Sequence, residues 1–308
     1  MRVTEFRHER LVLHAEDDHD IHLQVWRPAG PATHIIQIVH GLGEHADRYA
    51  RFATAATSRG YIVCCHDHRG HGSNGGKLGH FADVDGWHAI VSDTHSVNRR
   101  IRELHASMPL VLLGHSMGSY IAQFYAMHFG ANVNALILSA STLASRVPLS
   151  LAYAIAKIES WRLGVRGKSA LLNKLGFGSF NKAFRPARTE HDWLSRDEQE
   201  VDRYVADPLC GGPYSCGLWL DLIGGLLDIS SDNALSRITS DLPILITGGA
   251  ADPVGGNRGM GKLAMHYAQT GHQRVKVKIY PDGRHEMLND INRDEVTRDW
   301  LAWIEAIG

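Results

Sequence analysis

Residues Gly114-His115-Ser116-Met117-Gly118 set one serine between two glycines, directly after an apolar run and directly before a stretch with helical spacing. In a chain with 31 glycines a G-x-S-x-G match is weak by itself. The setting gives it content. A strand that turns sharply into a helix exposes a serine hydroxyl at the turn, and only small residues fit on either side. The same turn puts the Met117 N–H at a helix N-terminus, where developing negative charge is favoured. The bland alternative is that Ser116 is an ordinary helix N-cap.

A serine hydroxyl is a poor nucleophile without a base, so this chemistry requires an acid and a histidine further along, in the order Ser, Asp or Glu, His. The run "LPILITGGAADPVGG" leads into Asp252, and "VKVKIYPDGRHEMLND" places His285 just beyond the next apolar run. Both positions fall where the carboxyl edge of a parallel sheet would be. The stretch "SASTLASR" after residue 138 holds no carboxylate, and Asp282 lies in a "PDG" turn, so Asp252 is the expected acid. A second oxyanion donor is expected from "VHGLGEHADRY" (39–49), where His40-Gly41 lets the backbone approach and the N–H of Leu42 pairs with that of Met117.

The elements that must position these groups are legible as short apolar runs: 10–15, 21–26, 34–40, 61–67, 109–115, 135–140, 242–249 and 275–280. Most of the later ones are continuous rather than alternating, which suits strands covered on both faces. Helical stretches at 47–59, 87–106, 116–129, 257–269 and 295–307 separate them. The fold class expected is α/β: a mostly parallel central sheet with an antiparallel start, flanked by helices. Between about 145 and 238 no convincing strand run occurs, and helical segments such as "SLAYAIAKIESW" and "GLWLDLIGGLLDI" take over. This reads as a helical cap (145–238) inserted between two parts of one core, 1–144 and 239–308.

Composition bounds the partners. With 44% hydrophobic and 21% charged residues in 308, the chain lies well away from the regime of disorder. A net charge of −1 argues against nucleic acid as the main partner. The start of the chain lacks an apolar signal-peptide core, and four cysteines are too sparse for a disulfide framework, so a reducing cytoplasm is the expected location.

Taken together, His40-Gly41-Leu42-Gly43-Glu44-His45, "HDHRGHGSN" (66–74), Gly114 to Gly118, Asp252-Pro253-Val254 and His285-Glu286 resemble the monoacylglycerol lipase and lysophospholipase-like branch of the α/β-hydrolase superfamily. The resemblance spans nearly the whole sheet domain. It implies an α/β-hydrolase fold and hydrolysis of carboxylic esters with a long apolar acyl chain, a small-molecule ester or lipid being the substrate, without a cofactor. Ser116 would attack, His285 would take its proton, Asp252 would orient the imidazole, and Leu42 and Met117 would hold the oxyanion. One departure is Leu42, bulkier than the small residue such lipases often carry at that position.

Three rival readings stay open. His66, His68 and His71 around Asp67 could bind zinc, but their order differs from familiar metallohydrolase patterns and a structural role for the loop is expected. A serine peptidase of the proline iminopeptidase type shares triad and cap, and "EHDWLSRDEQEVD" (190–202) supplies acids that could hold a free amino terminus. A non-catalytic ligand receptor on the same fold is the third. Basic residues of the cap from Arg162 to Arg188, beside Trp161, Leu171 and Phe177, allow loose contact with a membrane surface, the expected arrangement being a cap that packs its apolar face on the sheet domain and turns its charges to water.

Overall fold

Alternation of side chains along the central strands explains why they are apolar on both faces. In the strand His34–Val39, Ile35 and Val39 join one core cluster while Ile36 and Ile38 join another. Likewise Leu112 and Val111, Leu136 and Ile137, and Ile246 and Leu245 divide between the two clusters, so each strand feeds a core on either side of the sheet. The computed structural model describes residues 6–74, 79–231 and 233–307.

Within them the order is β1 (Arg7–His14), β2 (Asp20–Arg27), β3 (His34–Val39), α1 (Ala50–Thr57), β4 (Tyr61–His66), α2 (Gly86–Leu104), β5 (Leu110–His115), α3 (Met117–Phe129) and β6 (Ala135–Ser139). Then follow α4 (Arg146–Leu163), α5 (Ala170–Phe177), α6 (Glu198–Ala206), α7 (Cys216–Ile229), β7 (Ile244–Gly249), α8 (Gly256–Gln269), β8 (Val275–Tyr280) and α9 (Arg293–Ile307). The eight strands lie in the order β1-β2-β4-β3-β5-β6-β7-β8. β2 runs antiparallel to both β1 and β4, and the other pairs are parallel. All eight expected runs form strands.

Register brings the strand ends level. Val39 pairs with Gly114, His115 with Ser139, Ser139 with Thr247, and Gly249 with Tyr280. The loops that leave β3, β5, β7 and β8 therefore emerge along one edge of the sheet, which is where a doubly wound sheet offers a crevice.

The helix expected over 47–59 is shorter than its pattern. Its first turn is a 3₁₀ segment, Ala46–Tyr49, and the α-helix starts at Ala50. Two side chains hold that tight turn: Asp67 Oδ1 accepts the Ala46 N–H at 2.8 Å, and the Tyr49 hydroxyl donates to Glu44 Oε1 at 2.8 Å. Between β6 and β7 the described chain forms helices joined by loops, with an isolated bridge between Lys168 and Ser215. α7 packs against α2, α3 and α4, which anchors this excursion on the sheet domain. No described helix is long and apolar enough to cross a membrane.

Candidate active site

Ser116 stands between β5 and α3 with φ 51° and ψ −119°, a backbone conformation that non-glycine residues rarely hold. Its N–H donates to the Ser139 carbonyl at 2.9 Å, fixing the turn to the neighbouring strand. The flanking glycines are steric necessities. A Cβ at Gly114 would lie 2.3 Å from the Gly118 carbonyl oxygen, and one at Gly118 would lie 1.9 Å from that of Val39. The serine side chain does not cap α3, so the N-cap alternative fails on geometry, and the residue is only partly buried.

Asp252 follows β7 and His285 follows β8. They meet with His285 Nδ1 2.9 Å from Asp252 Oδ1, both side chains almost wholly buried. A carboxylate only accepts hydrogen bonds, so Nδ1 carries the proton and Nε2 is left with a free lone pair. Burial works against the charged imidazolium. The charge and hydrogen bond of Asp252, with Glu286 and Glu44 beyond, outweigh it, and the pKa of His285 is raised from the ordinary 6.5. The Trp193 ring lies 4.8 Å from the His285 ring, and the Trp193 carbonyl accepts the His285 N–H at 3.4 Å. Asp282 is exposed in its turn at φ 56° and lines no part of the cavity described next.

Ser116, His285, Leu42 and Met117 line one cavity of about 1050 Å³. The orientation of its two candidate oxyanion donors follows from peptide planarity, because a trans peptide points its C=O and N–H in opposite directions. The His68 N–H donates to His40 Nε2 at 2.9 Å, so His40 is protonated on Nδ1, which donates to the Gly41 carbonyl at 2.8 Å. Burial, first of all, holds the pKa of His40 well below the ordinary histidine value, consistent with a neutral ring. Pinning the Gly41 carbonyl turns the Leu42 N–H the other way. The Ser116 carbonyl is pinned similarly by the Ser119 N–H at 2.9 Å and the Ser119 hydroxyl at 2.6 Å, which aims the Met117 N–H. Neither N–H has a protein acceptor among the described residues.

The histidine-rich loop 66–74 therefore supports the loop after β3. His40, His68 and His71 pack ring against ring, and Asp67 accepts the N–H groups of Ala46 and Ser73. His66, His68 and His71 do not converge as metal ligands among the described residues.

Sequence reasoning missed a buried ionic bridge at the cavity wall, which Glu44 and Glu286 help to line. Glu44 Oε1 accepts the Gly41 N–H at 2.6 Å, and Glu44 Oε2 lies 3.6 Å from Arg48 Nε. Arg48 also pairs with Glu286, the neighbour of His285, so one arginine ties the loop after β3 to the loop after β8. Desolvation, and then the charge of Glu286, raise the pKa of Glu44 despite Arg48. The spacing of Glu44 and Arg48 is a readable i,i+4 pair. Nothing in the pattern signals a partner 238 residues away.

The rest of the cavity wall is mixed: Tyr120, Trp193, Tyr214, Trp219, Leu222 and Leu226 give it an aromatic and aliphatic part, and Asn173, Lys174, Asn181, Arg185, Arg188 and Glu190 a polar one. Of the acids in 190–202, Glu190 lines it. Asp197 pairs with Arg293, Glu200 with Arg51 and Arg203, and Asp202 with Arg188.

With this geometry in place, comparison with known proteins is informative. The family model described as serine aminopeptidase, S33 matches residues 30–292. A monoacylglycerol lipase of Mycolicibacterium smegmatis is 29% identical over 91% of this chain and 91% of its own length. The human monoglyceride lipase is 27% identical over 86% of this chain and 80% of its own. Among solved structures, a thermostable carboxyl esterase of Bacillus coagulans in complex with glycerol superposes with a TM-score of 0.90 at 27% identity, covering 97% of this chain and 98% of that one.

Proposed function

The chain belongs to the serine aminopeptidase S33 family, in the monoacylglycerol lipase-like branch of the α/β-hydrolases, and from that premise we propose that it cleaves lipid-type carboxylic esters through an acyl-enzyme on Ser116. The observation that carries the mechanism is the shared cavity, lined by Ser116, by His285 held against Asp252 and by two residues with unpaired N–H groups, beside aromatic and aliphatic side chains. His285 Nε2 takes the Ser116 proton as Oγ adds to the ester carbonyl, and the N–H groups of Leu42 and Met117 receive the oxyanion. The imidazolium returns the proton to the leaving alcohol, and water then repeats the sequence on the acyl-enzyme. The excursion 145–238 serves as the cap that walls the acyl chain.

The base has a readable pH signature. It works only as neutral imidazole, so activity is full above the pKa of His285 and falls as pH drops through it. Since that pKa is raised, the acidic limb of single-turnover acylation is expected above 6.5. Asp252→Asn removes the two largest causes that raise it and leaves burial opposed only by the charges of Glu286 and Glu44, so the limb should move to lower pH as the rate falls. A wild-type limb below 6.5 that Asp252→Asn leaves in place would refute the pairing as described.

Chain-length preference tests the substrate class. Each buried methylene contributes about 0.8 kcal/mol, so four more should favour an ester by roughly 10²-fold in kcat/KM. C4, C8 and C12 nitrophenyl and glycerol esters, run beside lysophospholipids and aminoacyl amides below their critical micelle concentrations, give the profile. Leu226→Asn should flatten it, because Leu226 lines the cavity, whereas Leu220 packs against the core away from it. Preference for aminoacyl amides would favour the peptidase reading, for which Glu190 is the cavity-lining acid among 190–202. Absence of turnover on any ester would favour a receptor.

The cap's outer face fits transient contact with an anionic membrane. Residues 146–188 carry nine basic side chains against one acidic, in a chain whose net charge is −1; of these Lys174, Arg185 and Arg188 line the cavity and Arg162 and Arg166 are ion-paired, which leaves Arg146, Lys157, Lys168 and Lys182. On α4, Val147, Leu151, Ile158 and Trp161 are 82%, 65%, 61% and 88% exposed and share one helical stripe. Co-sedimentation with vesicles containing anionic lipid, weakened by salt and by Leu151→Ser/Trp161→Ser, is the expected result. Equal recovery with neutral and anionic vesicles, or none with either, would remove the claim.

A further inference from the structure

One group of side chains with ligand chemistry has no part in ester cleavage. His45, Asp207 and Cys210 each direct one donor atom toward the others, and these atoms lie within 4.8 Å of one another. They come from two segments: His45 from the loop that carries Leu42, and Asp207 and Cys210 from the chain leaving α6. A backbone bond already joins the segments, the Gly211 N–H donating to the Gly43 carbonyl at 2.8 Å.

The donors are held in place by the protein itself. His45 is buried, and its Nε2 lies 2.9 Å from Asp207 Oδ2. Asp207 Oδ1 accepts the Leu209 N–H at 2.8 Å, which fixes the carboxylate plane. Cys210 is a free thiol, half-buried beside them.

We propose that His45, Asp207 and Cys210 form a binding site for a borderline-soft divalent cation of the zinc type, with water as fourth ligand. The donor set decides the class: imidazole nitrogen and thiolate sulfur suit zinc and cobalt, whereas magnesium and calcium require oxygen. The balance is one proton released to solvent from the Cys210 thiol, while the His45 proton, on Nε2 against Asp207 Oδ2 in the metal-free protein, moves to Nδ1 so that Nε2 can ligate. Nδ1 then faces Asp47, whose Oδ2 is 4.0 Å away, beyond direct hydrogen-bond reach. A bound cation clamps the loop carrying Leu42 to the segment that walls the cavity. The site is independent of how the ester reaction is assigned.

The test is a titration of the full chain, stripped with EDTA, with Co²⁺. A 1:1 complex is expected, with a thiolate-to-cobalt charge-transfer band in the near ultraviolet and the intense visible bands of four-coordinate cobalt. Zn²⁺ should displace it and raise Tm, and EDTA should reverse that rise. Cys210→Ser should abolish the charge-transfer band, and Asp207→Asn should weaken binding about tenfold or more. Neither side chain lines the cavity, so both variants should keep turnover of a soluble ester. If Cys210→Ser does not fold, Cys210→Ala replaces it, and the wild-type spectrum is decisive alone. A spectrum without the thiolate band, or one that persists without Cys210, overturns the proposal.

Discussion

Ser116→Ala is expected to reduce kcat on a soluble ester by about 10⁴-fold or more while leaving Tm within a degree or two of wild type. The activity loss follows from chemistry, since without Oγ there is no acyl-enzyme route and only the oxyanion donors and binding remain to accelerate direct attack by water. The stability expectation follows from geometry. The Ser116 hydroxyl caps nothing, and the turn is held by backbone, with the Ser116 N–H on Ser139 and the Ser116 carbonyl on Ser119. Alanine keeps those bonds and has the same Cβ to place at φ 51°. A fluorophosphonate probe should label wild type at Ser116 and leave the folded variant unlabelled. Turnover by that variant within about tenfold of wild type would end the serine-nucleophile mechanism, because no residual oxyanion catalysis reaches that level.

Gly118→Ala should be damaging for a reason unrelated to charge or nucleophilicity. Its added methyl would lie 1.9 Å from the Val39 carbonyl oxygen and 2.6 Å from that of His40. Both obstacles are backbone at the end of β3, so neither can rotate away as a side chain would. Relief requires α3 and the end of β3 to separate, and the residues that follow His40 are Gly41 and Leu42. Destabilisation of about 3 kcal/mol or more is expected, read as a fall in Tm of at least about 5 °C. The surviving folded fraction should also lose about 10²-fold in kcat, the scale set by misplacing one oxyanion donor. A Gly118→Ala protein with wild-type Tm and kcat would show that the close approach of α3 to β3 is not what positions Leu42.

The two predictions draw on different kinds of information, and that difference marks how far the sequence could be read. Local periodicity is written residue by residue. Continuous apolar runs such as Val111-Leu112-Leu113 and Ile244-Leu245-Ile246 must feed cores on both faces, so the parallel strands and their order along the chain were legible. Ser116, Asp252 and His285 were legible for a related reason. Each follows a recognisable strand, and a parallel sheet delivers all such strand ends to one edge. The loss of strand pattern after residue 145 marked the helical excursion in the same way.

What the tertiary structure alone decided are contacts between side chains distant in sequence, which leave no period behind. The charge balance at His285 depends on burial, on Asp252 and then on Glu286 and Glu44, and Arg48 ties those two acids together where two loops meet. The direction of the Leu42 N–H depends on a proton position in His40, which is set by the backbone of His68 on another strand's loop. The sequence read "HDHRGHGSN" as a family feature with a structural role expected ahead of zinc; which residues it supports was decided by the fold, which uses it to brace His40 and Gly41. A residue's element follows from its neighbours in the chain, because helices and strands bury one face at a fixed spacing. Its partner, by contrast, follows from how whole elements pack, and that is settled only by the total burial of both cores.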